Sequence, residues 1–225
     1  MKSVTSPRPP IEFVTGPHPK VTIFLLHGLG SSGEAFLPLA RSLDFTGVGD
    51  IRMVLPNAPI QAVSWAGGQY IPAWYDLRHS DFSRQEDETG LRNAMGYYES
   101  LIHREISRGI KAERIVIGGF SQGSALSLMT GIRFGHRLAG IFGMSGYLPL
   151  ASASSTEQHD TNRTTPVFMA HGEKDDIVLP ALAMTARDIL QNVGHDVTWK
   201  TYPVRHTISD DELHDLSLWL KNVLA

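Results

Sequence analysis

The chain has 225 residues, with 20 Lys+Arg against 23 Asp+Glu, a formal net charge of -3 and no basic run longer than two. That pattern excludes an electrostatic nucleic-acid surface, which needs clustered positive charge. Cysteine is absent, which excludes disulfides, thiolate metal sites and a cysteine nucleophile, while a hydrophobic fraction of 42% is ample for a large core.

Along the chain there is no internal repeat and no linker composition, so residues 1–225 read as a single domain. The first twenty residues carry five prolines and no apolar h-region, and are expected to form an irregular arm rather than a signal peptide. No apolar run approaches the roughly 18 residues of a membrane span. The expectation is a soluble, cytoplasmic protein with no stable membrane insertion.

A short edge strand is expected near Ile11–Val14. Val21–Leu26 is a continuous apolar run, the mark of a strand buried on both faces. Further strands are expected at Ile51–Leu55, Arg114–Gly118, Leu138–Met144, Thr165–Ala170 and Asp196–Tyr202. Between them lie helical patterns. In Glu88–Arg108, Leu91, Met95, Tyr98, Leu101, Ile102 and Ile106 recur three to four apart on one face. Ala181–Val193 and Asp210–Leu224 repeat the pattern, with Ser209 or Asp210 as N-cap of the last helix. Alternating strands and helices predict an α/β fold with a mostly parallel central sheet covered by helices on both faces. Two segments break the alternation: Pro56–Asp76, rich in Pro, Gly and aromatics, and Ser145–Thr164, which is polar. Both follow strand C-termini, the edge where ligands bind in such sheets.

The run Ile115 to Leu126 contains G-x-S-x-G at Gly119–Gly123, after a strand and opening a helix. A sharp strand-to-helix turn lifts the serine Oγ above the sheet and brings the residues two before and two after it close together. Glycine at both places removes the Cβ clash. Ser121 is therefore the candidate nucleophile, and the new helix aims its N-terminal N–H groups at a developing oxyanion.

A serine hydroxyl needs a base. Of ten histidines, His195 precedes its strand and would lie at the wrong end of the sheet, and His214 sits inside the last helix. His206 follows the strand ending at Tyr202 and shares an edge with Ser121. The acid should follow the Thr165–Ala170 strand, where Glu173, Asp175 and Asp176 stand, and spacing does not separate Asp175 from Asp176. His171 reads as a structural residue that fixes this loop. The oxyanion donors are expected to be the backbone N–H groups of Gln122 and Leu29, the latter in the loop His27–Gly28–Leu29–Gly30.

Two other readings stand beside this one. Gly28–Gly33 matches the dinucleotide fingerprint G-x-G-x-x-G, but Asp50, at the right spacing for a ribose-binding acid, precedes its strand instead of ending it. A non-catalytic binding protein on the same fold would normally lack a triad member, and none is missing.

Several motifs in one order, Leu26–Gly30, Pro56–Pro59, Trp74–Asp76, Glu86–Gly90, Gly118–Gly123 and His171–Asp175, give the chain a resemblance to the acyl-protein thioesterase/carboxylesterase family, also called phospholipase/carboxylesterase, from about Val21 to the C-terminus. The resemblance implies an α/β-hydrolase that cleaves carboxylic esters or acyl thioesters, on small molecules or acylated proteins, with no cofactor and no metal. It assigns the acid to Asp175 and supports His206, Leu29 and Gln122 in the roles given. It admits a homodimer. Arg205 departs from the residue common in the family before the histidine, and would either add positive charge beside His206 or point to solvent. Trp65, Tyr70, Trp74, Tyr75 and Leu148 are candidates to line an acyl groove, and few residues look lid-like, which points to an open site for short to medium acyl groups.

Overall fold

Alternation of side chains along the buried strands sets the layers. In β2 (Val21–Leu26), Val21, Ile23 and Leu25 point into one apolar cluster and Phe24 and Leu26 into another on the opposite face. A strand buried on both faces must be flanked by further strands and covered twice. The computed structural model, which describes residues 4–79, 81–82 and 84–225, meets that demand with one seven-stranded sheet.

In chain order the sheet is built from β1 (Ile11–Val14), β2, β3 (Ile51–Leu55), β6 (Ile115–Phe120), β7 (Gly140–Met144), β8 (Val167–Gly172) and β9 (Val197–Tyr202). Their spatial order is β1-β3-β2-β6-β7-β8-β9. Only β1 runs antiparallel to its neighbour. A separate two-stranded hairpin joins β4 (Ile60–Val63) to β5 (Gln69–Pro72). Gly67 and Gly68, at φ 66 and 79, make its turn, a backbone conformation in which a Cβ is strained.

One face is covered by α2 (Glu88–Ser107), α3 (Gln122–Arg133) and α5 (Pro180–Asn192), which bury Leu91, Tyr98, Ile102, Leu128 and Leu190. The other is covered by α1 (Gly33–Ser42) and α6 (Asp210–Leu224), which bury Ala40, Leu216, Leu220 and Leu224. A one-turn helix, α4 (Ser154–Glu157), lies between β7 and β8. Among the described residues no helix is long and apolar enough to cross a membrane.

The expected elements are present, with shifted ends. β6 runs on to Phe120 and β8 to Gly172, each two residues past the expected end, so His171 lies inside a strand. The sequence assigns nothing at 33–42, where Pro38 interrupts the helical pattern. α1 forms there all the same, with the Ser32 side chain accepting from Ala35 N–H. The Pro56–Asp76 segment is not all loop, since it holds the hairpin. The N-terminal arm, whose residues 1–3 lie outside the described ones, is tied down. Thr5 N–H donates to Ile60 O, and the Asn57 side chain donates to Pro9 O.

Ser209 caps α6 by accepting from Glu212 N–H. The Glu212 side chain is fully buried, and neither carboxylate oxygen has a partner among the described residues. Burial pushes its carboxyl from an ordinary 4.5 up to about 7, against the lowering effect of the Ser209 contact. The folded state thus holds a proton that the unfolded chain releases near its ordinary pKa. Stability contributed by the neutral form is full below pH 4.5 and is lost as pH rises through about 7, by up to about 3 kcal/mol. Glu212→Gln should therefore raise Tm over wild type at pH 8 and lose that advantage at pH 4.5. Equal differences in melting at both pH values would show that Glu212 does not ionise under strain.

Candidate active site

β6 ends at Phe120 and α3 starts at Gln122, so Ser121 alone makes the turn, at φ 55 and ψ -120. That conformation costs a non-glycine residue on the order of 1–3 kcal/mol and persists only where the surroundings over-determine it. Here they do. Ser121 N–H donates to Met144 O at 2.9 Å, and its carbonyl accepts from Ala125 N–H at 3.0 Å. The turn is also closed by direct backbone approach. A Cβ on Gly119 would lie 2.6 Å from Gly123 C, and one on Gly123 would lie 2.4 Å from Leu26 O.

The Ser121 hydroxyl meets His206 Nε2 at 2.9 Å, and His206 Nδ1 meets Asp175 Oδ2 at 2.7 Å. A carboxylate facing Nδ1 assigns the proton there and leaves Nε2 as the acceptor. The Phe120 ring packs against the imidazole, with centroids 4.8 Å apart. Asp175 is 3% exposed. Burial alone would raise its carboxyl, but N–H donation from His171, His206 and the Ile177 backbone outweighs this and holds it well below the usual carboxylate range.

The tips of β8 and β9 hold Asp175 and His206 in register. Glu173 N–H donates to Tyr202 O at 2.8 Å and Lys174 N–H to Val204 O at 3.0 Å. A Cβ on Gly172 would lie 2.2 Å from Arg205 O, so only glycine lets the two backbones close up. Asp176 turns away from His206 and pairs with Arg205, and both side chains are exposed. The guanidinium holds the Asp176 carboxyl below its ordinary value. Arg205 therefore stands neither alone beside His206 nor free in solvent.

The turn after β2 runs against the serine, since a Cβ on Gly28 would sit 3.3 Å from Ser121 Cβ. Among the described residues neither Leu29 N–H nor Gln122 N–H has an acceptor. Gln122 directly follows Ser121, and Leu29 lines the same cleft. A function of Gln122 that the sequence did not reveal lies in its side chain. It accepts from Trp74 N–H at 2.9 Å and donates to Tyr75 O at 2.8 Å, pinning residues 74–75 to the start of α3. Behind this turn His27 is fully buried, and burial holds its imidazole below the ordinary value against donation to Gly28 O. Its Nε2 accepts from Ala58 N–H at 3.1 Å.

A cleft of about 290 Å³ opens over Ser121 and His206, walled by Leu29, Phe36, Trp65, Leu77, Phe82 and Ile177. Of the expected groove residues only Trp65 lines it. Trp74 is instead 3% exposed, with its indole N–H donated to His27 O at 2.9 Å, and it borders a separate cleft. The Tyr75 hydroxyl is spent on Tyr147, 2.8 Å away inside the core. Leu148 is buried in the cluster under α2 and α3, and no residue of 145–164 lines the cleft. Tyr70 is exposed on the hairpin, outside the cleft lining. Leu77, Phe82 and Ile177 escaped the sequence reading. The first two lie just past the segment it marked, and Ile177 is two residues beyond Asp175.

A larger cleft, about 810 Å³, lies at the opposite end of the sheet between His18, Lys20, Asp50, Arg108, Lys111 and Arg114. Asp50 accepts from His18 N–H there, far from the Gly28–Gly33 loop, so the dinucleotide reading finds no support. Among the described residues no group of three or more His, Asp or Glu could hold a metal ion.

A family model described as phospholipase/carboxylesterase matches residues 9–224. The chain is 37% identical to acyl-protein thioesterase 1 of Mycosarcoma maydis, covering 93% of this chain and 94% of that one. To acyl-protein thioesterase 1 of Gibberella zeae it is 34% identical, covering 96% and 95%. Among solved structures, Arabidopsis thaliana SOBER1 superposes with a TM-score of 0.87 at 28% identity, over 91% of this chain and 99% of that one.

The backbone approach at the elbow leaves no room for a methyl group at position 123. Gly123→Ala should cost about 1–3 kcal/mol, the range of an overpacked core, and lower Tm by several degrees in a circular dichroism melt. A melt identical to wild type would mean that the helix start can draw back from Leu26 at no cost.

Proposed function

The chain belongs to the phospholipase/carboxylesterase family of α/β-hydrolases, and from that premise we propose that its hydrolysis of carboxylic esters and acyl thioesters runs through an acyl-enzyme on Ser121. What supports the reading above all is the continuous link from Ser121 Oγ through His206 to Asp175, at 2.9 and 2.7 Å. Ser121 Oγ attacks the acyl carbon while His206 Nε2 takes its proton. Asp175 keeps the proton on Nδ1 and stabilises the imidazolium that forms. The N–H groups of Leu29 and Gln122 receive the negative charge on the carbonyl oxygen, each worth roughly 3–4 kcal/mol in the transition state. His206 then returns its proton to the departing alkoxide or thiolate. Water, deprotonated by His206, attacks the acyl-enzyme, and as the bond to Ser121 Oγ breaks His206 returns that proton to Oγ and the acid is released. The cycle balances with water alone, in a single domain.

The acyl group lies in the cleft walled by Trp65, Leu77, Phe82 and Ile177. Its apolar walls and modest size favour short to medium chains, carried by a small ester or thioester or by an acylated protein. The two curated relatives described above are named acyl-protein thioesterases, which supports including the last.

A fluorophosphonate should label one serine, and Ser121→Ala should abolish both labelling and turnover. Labelling elsewhere, or activity within about tenfold of wild type, would remove Ser121 from the role. Rates on nitrophenyl and thioester series of graded acyl length then report how far the cleft reaches.

The two neighbouring acids should differ sharply. Asp175→Asn should lower kcat by about 10⁴, as loss of the acid does in a comparable triad. Asp176→Asn should be mild, because it removes only an exposed partner of Arg205. The reverse order of effects, measured on one ester, would reassign the acid.

A further inference from the structure

Of the buried titratable groups that the mechanism above leaves unused, His171 is the one that lies against Asp175. His171 is 1% exposed in β8, and its Nε2 lies 2.8 Å from Val178 O and 3.3 Å from Asp175 Oδ2. Both neighbours are acceptors, so the proton belongs on Nε2; it is donated to Val178 O, with Asp175 Oδ2 beside it. Nδ1 is buried and has no partner among the described residues. The ring is held from behind by Trp199, stacked at 22° with centroids 6.4 Å apart, and Trp199 is covered in turn by the Arg187 guanidinium at 5.3 Å.

The Asp175 carboxylate thus sits in a ring of donors. Oδ1 accepts from Ile177 N–H at 2.9 Å and Val178 N–H at 3.0 Å. Oδ2 is shared by two imidazoles, His206 on the serine side and His171 on the sheet side. Only His206 touches the nucleophile.

We propose that His171 is a positioning residue for the triad, whose Nε2 edge, anchored on Val178 O and 3.3 Å from Asp175 Oδ2, keeps Oδ2 turned to His206 and draws off part of its negative charge. The proposal rests on the reading of Asp175 and His206 given above. A donor on Oδ2 does two things. It fixes the carboxylate plane, so that Oδ2 rather than an empty rotamer faces Nδ1. It also competes with His206 for the carboxylate's charge, so the imidazolium is stabilised less than it would be by an undivided carboxylate. The other charged groups around the pair are few: Arg187 beyond Trp199, and the exposed Arg205–Asp176 pair beside the His206 loop.

The test uses the full chain with His171→Phe, which keeps a ring against Trp199 and removes the donor, and His171→Gln, which restores an N–H donor. For His171→Phe the acid limb of kcat/KM should move to higher pH by roughly half to one unit, the equivalent of one ordinary hydrogen bond. kcat should fall several-fold while KM for a short nitrophenyl ester stays within about twofold. His171→Gln should return both limb and kcat toward wild type. In wild type, ¹⁵N spectra at neutral pH should show the His171 proton on Nε2. A purely structural histidine would lower Tm and leave the acid limb in place. Coincident acid limbs in wild type and His171→Phe overturn the proposal, as does a proton on Nδ1 of His171, which needs no variant to fold. His171→Gln that melts like wild type but keeps the displaced limb overturns it too. If Ser121 is still labelled by fluorophosphonate in these cases, the failure belongs to His171 alone. Turnover retained in His206→Ala would instead remove the triad, and the premise with it.

Discussion

A single non-glycine residue held at positive φ fixes the rest of the site. Ser121 stays in that conformation because β6 and α3 meet around it with no spare volume: Gly119 faces Gly123, and both face the end of β2. The parallel pairings β2–β6 and β6–β7 deliver Leu26 and Met144 to the two sides of the turn, so the sheet register itself places the acceptor for Ser121 N–H. The strain, on the order of 1–3 kcal/mol, is small beside the apolar burial of three central strands, which is why a local conformational cost is tolerated at this point.

The carboxylate at 175 shows a second balance. A buried acid would ordinarily take up a proton, and a protonated acid could not hold an imidazolium. Backbone N–H groups and imidazoles reverse that tendency, while the neighbouring acid at 176 stays in solvent and finds an arginine. Two adjacent aspartates differ in chemistry only because one side chain points into the sheet edge and its neighbour points out.

Much of this was legible in the sequence, and for identifiable reasons. Continuous apolar runs gave the central strands, and the G-x-S-x-G turn gave Ser121, because both are set by local sterics and period. Chain order and sheet edge then picked His206 from ten histidines. The choice between Asp175 and Asp176 was not local. It depends on which side chain faces the β8–β9 ladder, and only family resemblance spoke to it. The cleft walls failed for a related reason. Trp74 and Tyr75 are as aromatic as Trp65, but their polar atoms are consumed by His27 O and Tyr147 inside the core. Polarity misled in the opposite sense at 145–164. Ser154 and Asn162 are fully buried there, and the Asn162 amide supplies partners to Leu138 N–H, Phe134 O and His136 O. Polar composition in that segment serves buried backbone, a use that periodicity does not encode.

The backbone lacing of 172–174 to 202–205 separates what this scaffold can exchange from what it cannot. Asp175 and His206 ride on strand tips joined by Glu173 N–H to Tyr202 O and Lys174 N–H to Val204 O. One residue inserted between Gly172 and Asp175 would slip that ladder by a strand step of about 3.3 Å, more than any hydrogen bond tolerates. Trp65, Leu77 and Phe82 stand off the ladder, on a stretch running from the hairpin toward α2. Exchanging the Trp65, Leu77 and Phe82 side chains would recut the cleft while leaving in place Trp74 and Tyr75, which Gln122 ties to the start of α3. Most of the apolar wall can therefore be exchanged without touching the strand-tip ladder, whereas Ile177, whose N–H donates to Asp175 Oδ1, belongs to both.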